Sequence, residues 1–175
     1  FSLVNTLILQ PMSMPHAERL MALGEPSHSG NGLGDIDSDQ YLALRGHLHS
    51  VDLMGAYTGV GVGLDAGSSA TYYQGSRLTA SMMPLFGLKP LLGRGLVPSD
   101  EEPGAAPVVL LGEALWRHAF KADPHIVGRS VRVNGEWATV VGVLPASAGD
   151  LPVTGNQVWL PLQLQPGQHR DLAGV

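Results

Sequence analysis

The sequence predicts a mixed α+β domain, and three patterns carry that prediction. Val131 and Val133 alternate into Asn134-Gly135, and Trp137, Thr139, Val141 and Val143 alternate out of it, the pattern of a hairpin whose Asn-Gly turn tolerates positive φ. Tyr41, Leu44 and Leu48 recur at helical spacing behind the capping residues Asp37 and Ser38, which predicts an amphipathic helix over 39–49. Val60, Val62 and Leu64 alternate with glycines inside a β-like run from Val51. Asp65 to Ser68 supplies turn chemistry, and Ala70 to Thr79, with Tyr72 and Tyr73, reads as the return strand of a long hairpin.

The remaining elements follow in chain order. Phe1 to Gln10 is an apolar stretch ending at Pro11, which suits a buried first strand or helix as well as the end of a membrane helix. Leu20 to Leu23 is a short apolar run, and Gly24 to Gly34 is a Gly, Ser and Pro-rich loop. Ser81 is placed to cap a short helix through Phe86 that Gly87 stops. Three prolines and four charged residues make 93–107 a connection between lobes. Val108 to Leu111 is a short buried strand. Glu113 to Phe120 sets Leu115, Trp116, Ala119 and Phe120 on one helical face, and the helix ends before Asp123-Pro124. A last strand covers Gln157 to Leu160 and ends at Pro161. No internal repeat is visible.

Size and composition bound the function. With 175 residues, 44% of them hydrophobic and 14% charged, the chain can bury a core and offset the entropy of folding. A net charge of -5 with ten Lys and Arg leaves no basic stripe for phosphates, which excludes nucleic acid as the expected partner. Cysteine is absent, so no disulfide framework and no thiolate nucleophile or metal ligand exists. No apolar run approaches the roughly 20 residues of a membrane span.

The candidate chemistry is thin. The run Gly59, Gly61, Gly63 lacks the third glycine of a dinucleotide fingerprint, since Leu64 stands there, and no helix start follows; it reads as a strand open to close backbone approach. No phosphate loop ending in Gly-Lys-Ser or Gly-Lys-Thr exists. His47 and His49 would point about 200° apart on a helix and cannot grip one ion together. His16, His28, His118, His125 and His169 lie scattered. Asp100, Glu101 and Glu102 form the only acidic run and read as a solvated turn, without the ligand spacing of a calcium loop. No nucleophile elbow or triad is recognisable. The expectation is therefore no catalytic residue, no cofactor and no metal ligand. Trp116, Phe120, Trp137 and Trp159 read as core packing.

An ordered series of motifs then resembles a known family. Leu115-Trp-Arg-His-Ala-Phe120, Asp123-Pro-His-Ile-Val-Gly-Arg-Ser-Val-Arg-Val-Asn-Gly135, Thr139-Val-Val-Gly-Val-Leu-Pro145 and Val158-Trp-Leu-Pro-Leu162 resemble the MacB-like periplasmic core domain of FtsX and MacB-type ABC transporter permeases. Met83-Pro-Leu-Phe-Gly-Leu-Lys-Pro-Leu-Leu-Gly-Arg94 is similar to the stretch that leads into this region, and Gly24 to Thr79 is the weakest part of the likeness. The sequence departs at Gln10-Pro-Met-Ser-Met-Pro15, where relatives often carry a leucine and proline pair.

The resemblance implies two lobes, a porter-like βαβ half and a smaller β-rich Sabre-like lobe with a short helix. It implies that 1–11 is a remnant of the first transmembrane helix, 12–77 the first half of the porter-like lobe, 78–165 the Sabre-like lobe and 166–175 the start of the return to the porter lobe, whose second half would follow Val175. Gly128 and Gly135 would set turns, and Val141 to Pro145 would form and end a central strand. The implied role is an extracytoplasmic domain, facing the periplasm or cell exterior from the inner membrane, that passes ATP-driven movement to periplasmic substrate or partner proteins in export. Its partners would be a cytoplasmic ATPase subunit, a periplasmic adaptor or substrate, and a second copy in a dimeric transporter. The competing readings are a soluble α+β ligand-binding or lectin-like module, which the absence of membrane spans around this segment would favour, and a hydrolase, which would need convergent polar groups in a deep pocket.

Overall fold

The computed structural model describes residues 8–11, 21–25, 34–47, 51–65, 70–151, 155–167 and 170–174. The strands are β1 (Ile8–Pro11), β2 (Met21–Gly24), β3 (Ile36–Asp37), β4 (Ala56–Asp65), β5 (Ala70–Leu78), β6 (Leu92–Gly93), β7 (Val108–Gly112), β8 (Ser130–Val133), β9 (Glu136–Leu144), β10 (Val158–Pro161) and β11 (Asp171–Gly174). The helices are α1 (Ser38–His47), α2 (Met82–Leu85) and α3 (Glu113–Ala119). The strands join in one mixed sheet, and the fold is mixed α+β.

The sheet closes on itself. β4 pairs β5 antiparallel, β5 pairs β10 parallel, β10 pairs β7 antiparallel, β7 pairs β9 parallel, β9 pairs β8 antiparallel, and β8 returns to β4 through Leu64↔Val133 and Asp65↔Arg132. These six strands form a small barrel whose interior is filled by side chains. Val62, Leu64, Val109, Leu111, Val131, Val133, Val140, Val158 and Leu160 make its core, joined by Leu115 of α3 and by Phe120 and Ile126 after it. Space inside is tight: a Cβ on Gly75 would stand 2.6 Å from the Val158 carbonyl oxygen and 2.9 Å from Val62 Cγ2.

Two further cores flank the barrel. On its outer side, Trp159, Leu110, Val141 and Leu144 pack under Met82, Met83 and Leu96. Beside it, β11 inserts between β2 and β4, and α1 covers that layer with Tyr41 against Ile36, Leu162 and Leu172. The β4–β5 hairpin belongs to both regions. Its base, Ala56 and Tyr57, pairs β11, and its outer end pairs β8.

The predicted elements recur with shifts that have local causes. α1 starts one residue early; Asp37 caps it by accepting the Asp39 N–H at 2.8 Å. Ser81 does not cap α2, because its hydroxyl donates to the Met54 carbonyl at 2.7 Å. Gly87, at φ 59°, does end it. Between β6 and β7, a 3-10 turn over Pro98–Glu101 interrupts a segment expected to be irregular. The Asn134-Gly135 hairpin stands as predicted, with φ 52° and 88°. Its inward residues, however, are Ala138, opposite Val131, and Val140, and Trp137 points outward at 63% exposure. Within the apolar first stretch, Ile8–Pro11 is a strand paired with β2, not helix; residues 1–7 lie outside the described residues. No helix among the described residues is long and apolar enough to cross a membrane.

Candidate functional site

One mouth of the barrel carries the polar side chains Arg77, Glu136 and Gln163. In register, Thr58 faces Arg77 and Arg77 faces Leu160, while Gly75 faces Val158; partners opposite each other share a face, so Arg77 stands on the inner face at the end of the barrel core. The Asn134-Gly135 turn closes over β4 just above. Asn134 N–H donates to the Gly63 carbonyl at 2.7 Å, and its side-chain Oδ1 accepts the Gly63 N–H at 2.8 Å. One asparagine thus makes both the tight turn and the last rung of barrel closure.

Below that rung a cavity of about 200 Å³ opens, lined by Arg77, Asn134, Glu136 and Gln163 over an apolar floor that includes Val133 and Leu160. Arg77 donates to the Pro161 carbonyl at 3.3 Å. Burial pushes its guanidinium below the usual range, Arg170 nearby adds to the effect, and Glu136 opposes it. Gln163 donates from Nε2 to the carbonyls of Asp100 and Glu102, both at 3.3 Å, which ties the mouth to the 3-10 turn.

That turn is the second polar feature, and it corrects the solvated-turn reading of the acidic run. Asp100 is buried, accepts both arms of the Arg94 guanidinium at 2.6 and 2.9 Å, and accepts the Val97 N–H at 3.0 Å. Burial alone would raise its pKa; the Arg94 and Val97 hydrogen bonds outweigh that and hold the carboxyl below its usual value. Glu101 accepts the Ala80 N–H and lies 3.9 Å from Arg45 of α1. Its carboxyl is raised, because desolvation exceeds the relief from Ala80 and Arg45. Glu102 is exposed, as expected of all three.

The other candidates disperse. His47 bonds the Ala43 carbonyl through Nδ1 at 2.7 Å at the end of α1, and His118 and His125 are exposed. His16, His28, His49 and His169 lie outside the described residues. No group of three or more His, Asp or Glu residues able to hold a metal occurs among the described residues. The odd-numbered glycines of β4 face outward; Gly61 and Gly63 lie beneath the exposed Tyr72 ring, and nothing approaches Gly59. The four aromatics do not share a core. Trp116 and Phe120 pack on the barrel interior, Trp159 faces the outer core from the opposite face of β10, and Trp137 is stacked by Arg132 at 5.4 Å in solvent.

Sequence reasoning missed Arg77, Glu136 and Gln163. The signal for Arg77 was available: Tyr73, Gly75 and Arg77 alternate along β5, so a charge stood at an inward position.

The chain superposes on the periplasmic region of MacB from Actinobacillus actinomycetemcomitans with TM-score 0.62 at 16% identity, covering 98% of this chain and 74% of that one. It superposes on the extracellular domain of the noncanonic ABC-type transporter YknZ from Gram-positive bacteria with TM-score 0.61 at 12% identity, covering 97% and 81%. No curated protein sequence matches it. The model of the MacB-like periplasmic core domain matches residues 1–173, and the chain belongs to that family.

Proposed function

We propose that this domain transmits movement outside the membrane: a cytoplasmic ATPase subunit drives the permease, and the domain carries the resulting change to periplasmic substrate or partner proteins in export. The reading includes a dimeric, inner-membrane transporter and gives the domain no catalysis of its own. It also keeps the division into a porter-like part over 12–77, a Sabre-like part over 78–165 and a return segment over 166–175, with the outer halves of β4 and β5 built into the barrel of the second part.

The observation that supports it best is the β4–β5 hairpin. Its strands are ten and nine residues long and paired in unbroken register from Tyr57↔Leu78 to Asp65↔Ala70. At about 3.4 Å per residue such a ribbon reaches roughly 30 Å, and it enters both the α1-covered layer and the barrel. A shared, fully paired element transmits displacement where a linker would absorb it.

The test uses the full-length permease with its ATPase. Spin labels at Arg45→Cys on α1 and Arg132→Cys on β8 report the distance within the domain, and a third label reports its distance from the membrane part. Rigid transmission predicts that nucleotide changes the distances to the membrane label while the internal distance stays fixed. An internal distance that follows the nucleotide state, or no movement relative to the membrane, would refute the reading.

A further inference from the structure

We propose that the barrel mouth beneath the Asn134-Gly135 turn is a binding site for a small zwitterion, an amino acid or dipeptide carrying both an ammonium and a carboxylate group. The inference is independent of force transmission, which stands or falls on the distances above.

The cavity carries one charge of each sign on its walls, and neither charge is spent. Among the described residues Arg77 has only the Pro161 carbonyl as a hydrogen-bond partner, at 3.3 Å, although a guanidinium offers five donors in a fork that matches a carboxylate. Glu136 lines the same cavity, and among the described residues it forms no close ion pair with Arg77. The two charges feel each other without touching. A ligand that bridges them satisfies both at once.

Further polar groups complete the rim. Asn134, which lines the cavity, commits Oδ1 to Gly63, and among the described residues its amide N–H groups keep their donor capacity. Gln163 commits Nε2 to two carbonyls, which leaves Oε1 as an acceptor. Val133 and Leu160 supply an apolar surface for an aliphatic side chain.

Size narrows the ligand. A volume of about 200 Å³ lies below the roughly 300–1,000 Å³ of pockets for drug-sized ligands. The carboxylate end belongs at Arg77, where Arg170 adds positive field. The ammonium end belongs at Glu136.

The experiment is an amide chemical-shift titration of the whole chain with four probes: L-valine, the dipeptide valylglycine, valinamide without the carboxylate, and N-acetylvaline without the ammonium. Expected are saturable shifts at the cavity-lining amides with valine or the dipeptide, at a Kd of about 1 mM or tighter, and at least tenfold weaker binding of the two blocked probes. The tighter of valine and dipeptide identifies which source of zwitterion the site prefers. Arg77→Gln should weaken valine about tenfold and erase its advantage over valinamide. Glu136→Gln, on an exposed side chain that does not endanger folding, should erase its advantage over N-acetylvaline. Absence of saturable shifts with every probe overturns the proposal, and so does unchanged discrimination in folded Glu136→Gln protein.

Discussion

Replacing Asn134 separates two roles that one side chain combines. Its backbone sits at φ 52°, and its Oδ1 accepts the Gly63 N–H at 2.8 Å across the closing rung of the barrel. Asn134→Gly relieves the left-handed backbone completely but removes the side-chain acceptor, a loss of about 0.5–1.5 kcal/mol for a neutral hydrogen bond. Asn134→Ala loses the same bond and gives up asparagine's tolerance of the left-handed region, where other L side chains pay about 1–2 kcal/mol, so its total cost is at most about 1.5–3.5 kcal/mol. Asn134→Asp keeps an acceptor and the tolerance for this φ, and should stay within about 0.5 kcal/mol of the native chain. With a urea slope near 2 kcal/mol/M, the alanine variant unfolds about 1 M earlier and the glycine variant about 0.5 M earlier. Amide exchange of Gly63 supplies the site-specific readout, because its protection should fall in both variants and survive in the aspartate. If Asn134→Gly unfolds with the native chain and the Gly63 amide exchanges at the native rate, the side chain contributes nothing to closure and the reasoning fails.

Three other outcomes follow from the same packing and electrostatics. Asp100→Asn should cost about 2 kcal/mol in urea unfolding, since it weakens charge-assisted bonds to Arg94 and leaves the Val97 amide an uncharged partner; the 45% exposure of the Arg94 side chain keeps the loss below that of a fully buried pair. Asp100 and Glu101 should act oppositely with pH. The lowered Asp100 stabilises the fold above its ordinary value of 3.8 and loses this as pH falls through its folded pKa, whereas the raised Glu101 contributes below its ordinary value of 4.5 and loses it as pH rises through its folded pKa. Stability curves should therefore lose part of their acid limb in Asp100→Asn and part of their decline above pH 4.5 in Glu101→Gln; identical curves for all three chains would contradict the assignment. Gly75→Ala should destabilise by about 1–3 kcal/mol, as overpacked cores do, because its Cβ meets the Val158 backbone rather than a yielding side chain; calorimetric unfolding within 0.5 kcal/mol of native would show that β5 and β10 part easily.

What the sequence disclosed depended on whether the determining contact was local. The Asn134-Gly135 turn, α1 and the β4–β5 strands are specified by turn chemistry, caps and periodicity among residues near in sequence, and all three form close to where the pattern puts them. β3, β6 and β11 are two to four residues long and exist because distant strands pair with them: Ile36 with Leu172, Leu92 with Val143, Ala173 with Tyr57. No local signal announces such rungs. Barrel closure was illegible for the same reason, since Leu64 meets Val133 across a separation that no periodicity encodes. The acidic run misled because composition cannot show that Arg94, six residues back, folds onto Asp100 and carries its charge into the protein. Trp137 misled because an aromatic at alternating spacing fits either face, and the face was set by Ala138 and Val140 filling the barrel.

The α1-covered layer and the barrel are tied by more than the hairpin they share. Where the outer core meets the α1 layer, Ala56 N–H donates to Thr79 Oγ1 at 3.0 Å and Thr79 N–H donates back to the Ala56 carbonyl at 3.0 Å. The Met54 carbonyl accepts from both Ser81 Oγ at 2.7 Å and Tyr41 Oη at 3.2 Å, so a buried helix residue and the α2 approach hold one backbone oxygen. Glu101 adds the Ala80 amide on one side and Arg45 on the other. No buried side-chain N or O among the described residues lacks a partner. Sliding the α1-covered layer over the barrel would strand several of these groups together, each at about 1–3 kcal/mol, whereas moving the two as one body strands none. The polar seam therefore resists internal shear as the paired hairpin resists bending, which is the mechanical property that the proposed transmission of movement needs.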